Sequence, residues 1–175
     1  MKRLLLLLCL LFPAALQAQN IAVLDKVGDN RVKFDYTYSL SKDGAPMQKV
    51  TEGKVIVEGN AFSLTGLGLK VISDGTTRWT VDTSAKEVLV ETVENDDIFT
   101  NPALLISSYR DYMDKITVHS STASSLDVTL VLDEDVKARF VLKNIVFLES
   151  GDDKKEVFSF DEKTLDKSYI VTDLR

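Results

Sequence analysis

The sequence predicts a mainly β domain, and three observations carry that expectation. Residues Arg31–Ser41 alternate strictly, with Val32, Phe34, Tyr36, Tyr38 and Leu40 on one face and Lys33, Asp35, Thr37 and Ser39 on the other. That period of two marks a half-buried antiparallel strand. The chain beyond its leader is rich in Val, Ile and Thr, the residues that suit a pleated surface. Turn residues then cut it at nearly regular spacing, as expected for a meander, sandwich or barrel of roughly ten or eleven strands.

The leader comes first in the chain. Lys2 and Arg3 precede the apolar run Leu4 to Phe12, Pro13 ends the run, and Ala14-Ala15-Leu16-Gln17-Ala18 supplies small residues for cleavage. This is the layout of a secretory signal peptide, with cleavage expected after Ala18 and one domain over residues 19–175. Cys9, the single cysteine, lies inside the apolar run, so the mature domain is expected to lack cysteine, disulfides and thiolate metal sites. The formal charge of −6 becomes −8 once Lys2 and Arg3 leave with the leader. Such an acidic chain is a poor partner for nucleic acid. No later stretch approaches the roughly 18–20 apolar residues that a spanning helix needs.

The elements follow in order. Ile21, Leu24 and Val27 sit three apart before Gly28, consistent with a short amphipathic helix. After Arg31–Ser41 and the turn Lys42-Asp43-Gly44, a second strand is expected at Val50–Glu58. Ala61–Thr65, Leu69–Ser73, Thr76–Asp82 and Lys86–Val93 continue the pattern, divided by Gly59-Asn60, Gly66, Ser73-Asp74-Gly75 and Asp82-Thr83-Ser84. Asn101-Pro102 opens a helix of about fourteen residues, an N-cap followed by proline at the first helical position. Leu105, Tyr109, Tyr112, Met113 and Ile116 form its apolar stripe. Strands are then expected at Ile116–Ser120, Ser125–Asp133, Ala138–Glu149, Val157–Asp161 and Ser168–Thr172.

Chemistry is sparse in the sequence. His119 is the only histidine, and no G-x-S-x-G elbow accompanies it, so it reads as a strand residue. The acidic clusters Glu94-Asn95-Asp96-Asp97, Asp133-Glu134-Asp135 and Asp152-Asp153 lack the ligand spacing of a calcium loop and read as solvated turns. Gly66-Leu67-Gly68 is too slight for a phosphate loop. No catalytic residue, metal or cofactor is expected, and the chain reads as a non-enzyme. What remains distinctive is apolar: the alternating strand faces and the helical stripe form either a sealed core or the wall of a cavity.

Several segments resemble the periplasmic outer-membrane lipoprotein carrier family, the LolA-like proteins, in the variant of the Bacteroidetes group. V-I-S-D-G-T-T-R-W-T-V-D, Val71 to Asp82, is similar to that family's strand, hairpin and Trp-bearing strand. F-D-Y-T-Y at Phe34 to Tyr38, G-K-V-I-V-E-G-N-A-F-S-L at Gly53 to Leu64, N-P-A-L-L-I at Asn101 to Ile106 and the end from Phe158 to Arg175 line up in the same order. The resemblance covers nearly all of the mature chain.

The resemblance implies an unclosed, strongly curved antiparallel β-barrel with helices on its concave side. It implies a periplasmic, monomeric chaperone that takes the acyl chains of lipoproteins from an inner-membrane releasing transporter and delivers them to an outer-membrane acceptor. The lipid-binding residues would be Phe34, Tyr36, Tyr38, Val55, Val57, Phe62, Leu64, Leu69, Val71 and Trp79 on the sheet. Leu104, Leu105, Tyr109, Tyr112 and Met113 would lie on the lid. An alternative is a periplasmic lipid- or glycolipid-binding or envelope-sensing module on the same fold. One departure stands out: the family's latch arginine follows the strand that ends here in Val57, Glu58, Gly59 and Asn60, and no arginine occupies that place. The latch is therefore not carried over.

Overall fold

The computed structural model describes residues 22–26, 30–93, 109–149, 151 and 154–175. The expected leader and most of the expected central helix, residues 101–108, lie outside them. Among the described residues, strands β1 (Arg31–Lys42), β2 (Gln48–Glu58), β3 (Ala61–Gly66), β4 (Leu69–Ser73), β5 (Thr77–Asp82) and β6 (Glu87–Thr92) form an antiparallel meander. The turns use the chemistry their residues offer. Asp74 Oδ1 accepts from the backbone N–H groups of Thr76 and Thr77 at 2.8 Å each, and Asp82 Oδ1 accepts from those of Ser84 and Ala85.

A second meander, β7 (Ile116–Ser121), β8 (Leu126–Asp133) and β9 (Val136–Leu148), returns to the first strand, because β9 pairs antiparallel with β1. The last strand, β10 (Ile170–Asp173), pairs parallel with β6. The result is one ten-stranded sheet in the order β10-β6-β5-β4-β3-β2-β1-β9-β8-β7. Its end strands β10 and β7 do not pair with each other, so the sheet is open.

The sheet is also curved. Thr80 on β5 and Ile116 at the start of β7 line one cavity although seven strand-to-strand steps separate them. In a flat sheet those steps would span roughly 34 Å. Two bulges help to set the shape. Between β1 and β9 the register shifts at Lys33/Asp35, and Asn144 takes the left-handed conformation (φ 55°) that asparagine tolerates. Its side-chain amide donates to Asp35 Oδ2 at 2.6 Å. The extra residue changes the phase of β9. Ala138 and Leu142 are buried before it, and Ile145 is buried after it, while Val146 is exposed. The second bulge lies between β1 and β2 at Tyr38/Ser39 and leaves Val50 without a register partner.

Two apolar clusters cover the two faces. On the concave face Val32, Phe34, Val55, Val57, Phe62, Leu126, Leu142 and Ile145 pack with Val23 and Leu24 of helix α1 (Ala22–Asp25) and with Tyr109. On the opposite face Ile72, Trp79, Val81, Val88 and Val90 are covered by Phe160, Leu165 and Tyr169 from the C-terminal segment.

Three expectations are corrected. Val157–Asp161 is not a strand: helix α2 (Lys154–Phe158) replaces it, turning Phe158 inward while Lys154 and Glu156 stay exposed. A short apolar segment cannot be assigned to strand or helix by periodicity alone. The sheet is not wholly antiparallel, because the C-terminal segment crosses the outer face and enters the edge beside β6 in the same direction as β6. Among the described residues the helical content is small: of the expected fourteen-residue helix, the described part, Tyr109–Lys115, is a 3-10 helix.

A buried ion pair lies where β1 begins and β2 ends. Arg31 Nε donates to Glu58 Oε2 at 2.6 Å, the two side chains being 8% and 5% exposed. Lys154 Nζ reaches Glu58 Oε1 at 2.7 Å, and the Arg31 guanidinium lies 5.5 Å from the centre of the Phe158 ring. Helix α2 is thus joined to the sheet through charge as well as through packing.

Candidate functional site: an apolar cavity on the concave face

Strand parity places the inward side chains, and register places them in rows. Phe34 opposes Val55, which opposes Leu64, which opposes Val71, which opposes Thr80. All five line a cavity of about 400 Å³. Two rows further along, Thr51, Tyr38, Phe140 and Val128 lie side by side, and all four are in its wall. The Tyr38 and Phe140 rings meet with centroids 4.9 Å apart. Burial pushes the Tyr38 phenol above its usual pKa, which keeps the hydroxyl neutral. Leu126, Leu130 and Leu142 close the β8–β9 side, and Leu24 and Tyr109 come from outside the sheet.

The wall needs two glycines. Gly53 opposes both Tyr36 and Gly66. A Cβ on Gly53 would run into the Thr65 carbonyl, and one on Gly66 would run into the Tyr36 hydroxyl. The Tyr36 ring therefore lies where two neighbouring strands lack side chains, filling space that would otherwise be a gap in the wall.

The cavity differs between its ends. Arg78 is the one charged residue among its described lining residues, and it pairs with its cross-strand neighbour Glu91, Nη2 to Oε2 2.9 Å. It sits at the Ser73 end of β4. At the other end of β4 is the hairpin Gly66-Leu67-Gly68-Leu69. There Leu67 lines the cavity, is 69% exposed and adopts φ 54°. The left-handed conformation costs a residue with a Cβ about 1–2 kcal/mol. Val50, 40% exposed, lines the cavity together with its neighbour Thr51, because the bulge turns both toward the same side.

The structure distributes the sequence-derived site residues as follows. Phe34, Tyr36, Tyr38, Val55, Leu64, Leu69, Val71 and Tyr109 line the cavity. Val57 and Phe62 share the concave face but lie one row deeper, sealed in the core at 2% and 0% exposure, so they are corrected from wall to foundation. Trp79 is corrected to the opposite face: it opposes Ile72 and packs under the C-terminal segment, its Nε1–H donating to Glu162 Oε1 at 3.3 Å. Met113 is exposed and is not in the wall. Leu104, Leu105 and the side chain of Tyr112 lie outside the described residues.

Sequence reasoning missed the β8–β9 wall, although Leu126, Val128 and Leu130 alternate as clearly as the residues of β1 do. It also missed Arg78 and Thr80, which β5 turns inward in place of Trp79.

Among the described residues no group of three or more His, Cys, Asp or Glu side chains could hold a metal ion. His119 is exposed, its Nε2 2.8 Å from Thr129 Oγ1. Among the described residues no helix is long and apolar enough to cross a membrane. Comparison with protein-family models and with curated proteins finds no match.

Proposed function

We propose that the chain is a periplasmic carrier that holds the acyl chains of lipoproteins in this cavity and delivers them toward the outer membrane. The observation that supports this reading is the cavity itself: about 400 Å³, walled by aliphatic and aromatic side chains on both arms of a curved sheet. Its volume falls within the roughly 300–1,000 Å³ of small-molecule sites. Each methylene moved from water into such a wall gains about 0.8 kcal/mol, so ten of them supply ~8 kcal/mol before the costs of ordering. The resemblance of the sequence to lipoprotein carriers supports acylated lipoproteins as the class of cargo.

In this reading helix α1 and Tyr109, which reach the cavity from outside the sheet, belong to the lid on the concave side. The lid opens, chains enter, and affinity stays moderate so that cargo passes onward from an inner-membrane transporter to an outer-membrane acceptor. A single copy suffices for this work, and the leader is removed on export after Ala18. Gating proceeds without the family's latch arginine; Glu58, which stands near that place, is held by Arg31 and Lys154 instead.

Native mass spectrometry of the protein purified from its host tests the reading. A co-purifying triacylated peptide supports the lipoprotein carrier. Free lipid or glycolipid moves the assignment to a lipid-binding module on the same fold, and binding of no lipid sinks both. A paired substitution places the site. Val71→Asp, in the wall, abolishes binding of an apolar fluorescent probe, whereas Ile72→Val, on the opposite face of the same strand, leaves it intact.

A further inference from the structure

We propose that the ion pair Arg78–Glu91 ends the floor of the cavity and limits the acyl chain it accepts to about sixteen carbons. The inference deepens the carrier reading and rests on it. Register builds the floor as one row across six strands. Val32 opposes Val57, which opposes Phe62, and Ser73, Arg78 and Glu91 follow in turn. The first four are sealed, at 0%, 2%, 0% and 0% exposure. The row then ends in charge: Arg78 Nε and Nη2 both donate to Glu91 Oε2, at 3.3 and 2.9 Å. The next row, Phe34, Val55, Leu64, Val71 and Thr80, lines the cavity.

The opposite end of the cavity is open, since Leu67 and Val50 belong to its wall and are both exposed. A chain entering there gains from each methylene it lays against the aliphatic and aromatic wall. At the floor the gain stops. Beside Val57 and Phe62 the core is already filled. Beside Arg78 and Glu91, a methylene would strip water from two charges and offer no hydrogen bond in exchange. Both side chains still have water to lose, at 20% and 25% exposure. The depth follows from the strand. Thr51, in the wall near the open end, and Val57, in the floor, lie six residues apart on β2, about 20 Å at the rise of a strand. An extended chain advances about 1.2 Å per bond, because the three backbone bonds of a residue span at most ~3.6 Å. About sixteen carbons therefore fill the depth.

The test is displacement of an apolar fluorescent probe by lysophosphatidylcholines with saturated chains of about twelve to twenty carbons, each kept below the concentration at which it aggregates. For the native protein, affinity rises about fourfold per added carbon up to about sixteen carbons and is level beyond. Arg78→Leu/Glu91→Leu removes both charges together, so neither is left behind without the other. In this variant the rise continues, and the longest chain binds at least about tenfold more tightly than it does to the native protein. Thermal unfolding shows whether the variant is folded. A second measurement needs no variant. A chain of about sixteen carbons with a photoreactive diazirine at its last carbon labels Thr80 or Arg78, and one with the diazirine beside the headgroup labels Leu67 or Val50. A native affinity that climbs with the same slope to the longest chain overturns the inference. So does a folded double variant that keeps the native plateau, or a terminal diazirine that labels Leu67 or Val50. Failure of the native protein to bind any of the chains overturns the carrier reading and this inference with it, whereas binding without a plateau overturns this inference alone.

Discussion

Arg31 and Glu58 form an ion pair with both side chains more than nine-tenths buried, Nε to Oε2 2.6 Å, at the point where the first strand begins and the second ends. A buried pair of this kind is costly to break, because the remaining charge stays desolvated. Glu58→Ala is therefore expected to lower unfolding stability by about 3 kcal/mol or more. Urea denaturation followed by far-UV circular dichroism measures it. Lys154→Ala, which removes the partner that is 60% exposed, costs less than about 1 kcal/mol in the same assay.

Trp79 is the only tryptophan, and it reports on the outer face. Its fluorescence is expected to stay nearly constant when an apolar ligand fills the cavity. Removing residues 159–175 shifts its emission to the red, because Phe160, Leu165 and Tyr169 no longer cover it. Trp79→Ala costs about 3–5 kcal/mol of stability through the void it leaves, yet Trp79→Phe keeps probe affinity. A large change in Trp79 emission on ligand binding would contradict the placement of this side chain.

Gly66 and Tyr36 are coupled through space. Gly66→Ala places a methyl group against the Tyr36 hydroxyl, and overpacking of this kind costs about 1–3 kcal/mol. Tyr36→Phe removes the hydroxyl. The double variant Gly66→Ala/Tyr36→Phe is expected to recover part of the loss. Thermal unfolding of the native chain, both single variants and the double variant gives the coupling energy directly. Strictly additive effects would show that the ring does not lie across the glycine.

Asp127 faces Arg139 across β8 and β9, Nη2 to Oδ2 2.7 Å. The hydrogen bond from Arg139 holds its carboxyl below the usual carboxylate range against the opposing effect of partial burial, and the charges of Arg139, His119 and Lys143 add to the lowering. The folded value lies below the unfolded value of about 3.9. The pair therefore contributes its full stability above that pH and loses it as the pH falls through the folded value. Asp127→Asn is expected to flatten the acid limb of the stability profile below about pH 4. At neutral pH it costs under about 1 kcal/mol, since Arg139 is 42% exposed. Melting temperatures of both proteins across the acid range check the sign.

The contrast between β1 and β5 shows how far the sequence could be read. In both strands the alternation correctly groups the side chains that share a face. In β1 the apolar set Phe34, Tyr36 and Tyr38 faces the cavity. In β5 the more apolar set, Trp79 and Val81, faces the other way, and Arg78 with Thr80 takes the cavity side. Period two says which residues go together but not which side of the sheet they face. That side is decided by the C-terminal segment, whose Phe160, Leu165 and Tyr169 make the outer face of β4–β6 a second core. The phase change in β9 was hidden for a related reason. Asn144 reads as an ordinary polar strand residue until its left-handed backbone inserts a residue into the ladder and sends Ile145 inward. The turns, in contrast, were legible because Asp74 and Asp82 act on their own neighbours.

The pairing of β1 with β9 has a kinetic consequence. Arg31 opposes Leu148 and Lys42 opposes Val136, so the seam between the two meanders joins segments on the order of a hundred residues apart, a separation that slows folding. A growing chain can assemble the β1–β6 meander early, with β1 as a bare edge. The cavity cannot exist until β9 has been made and has closed that seam, because Phe140, Leu142 and the β8 residues form its far wall. The chain thus acquires its apolar hollow late, which shortens the time an unfinished hollow stands open to the wrong occupant.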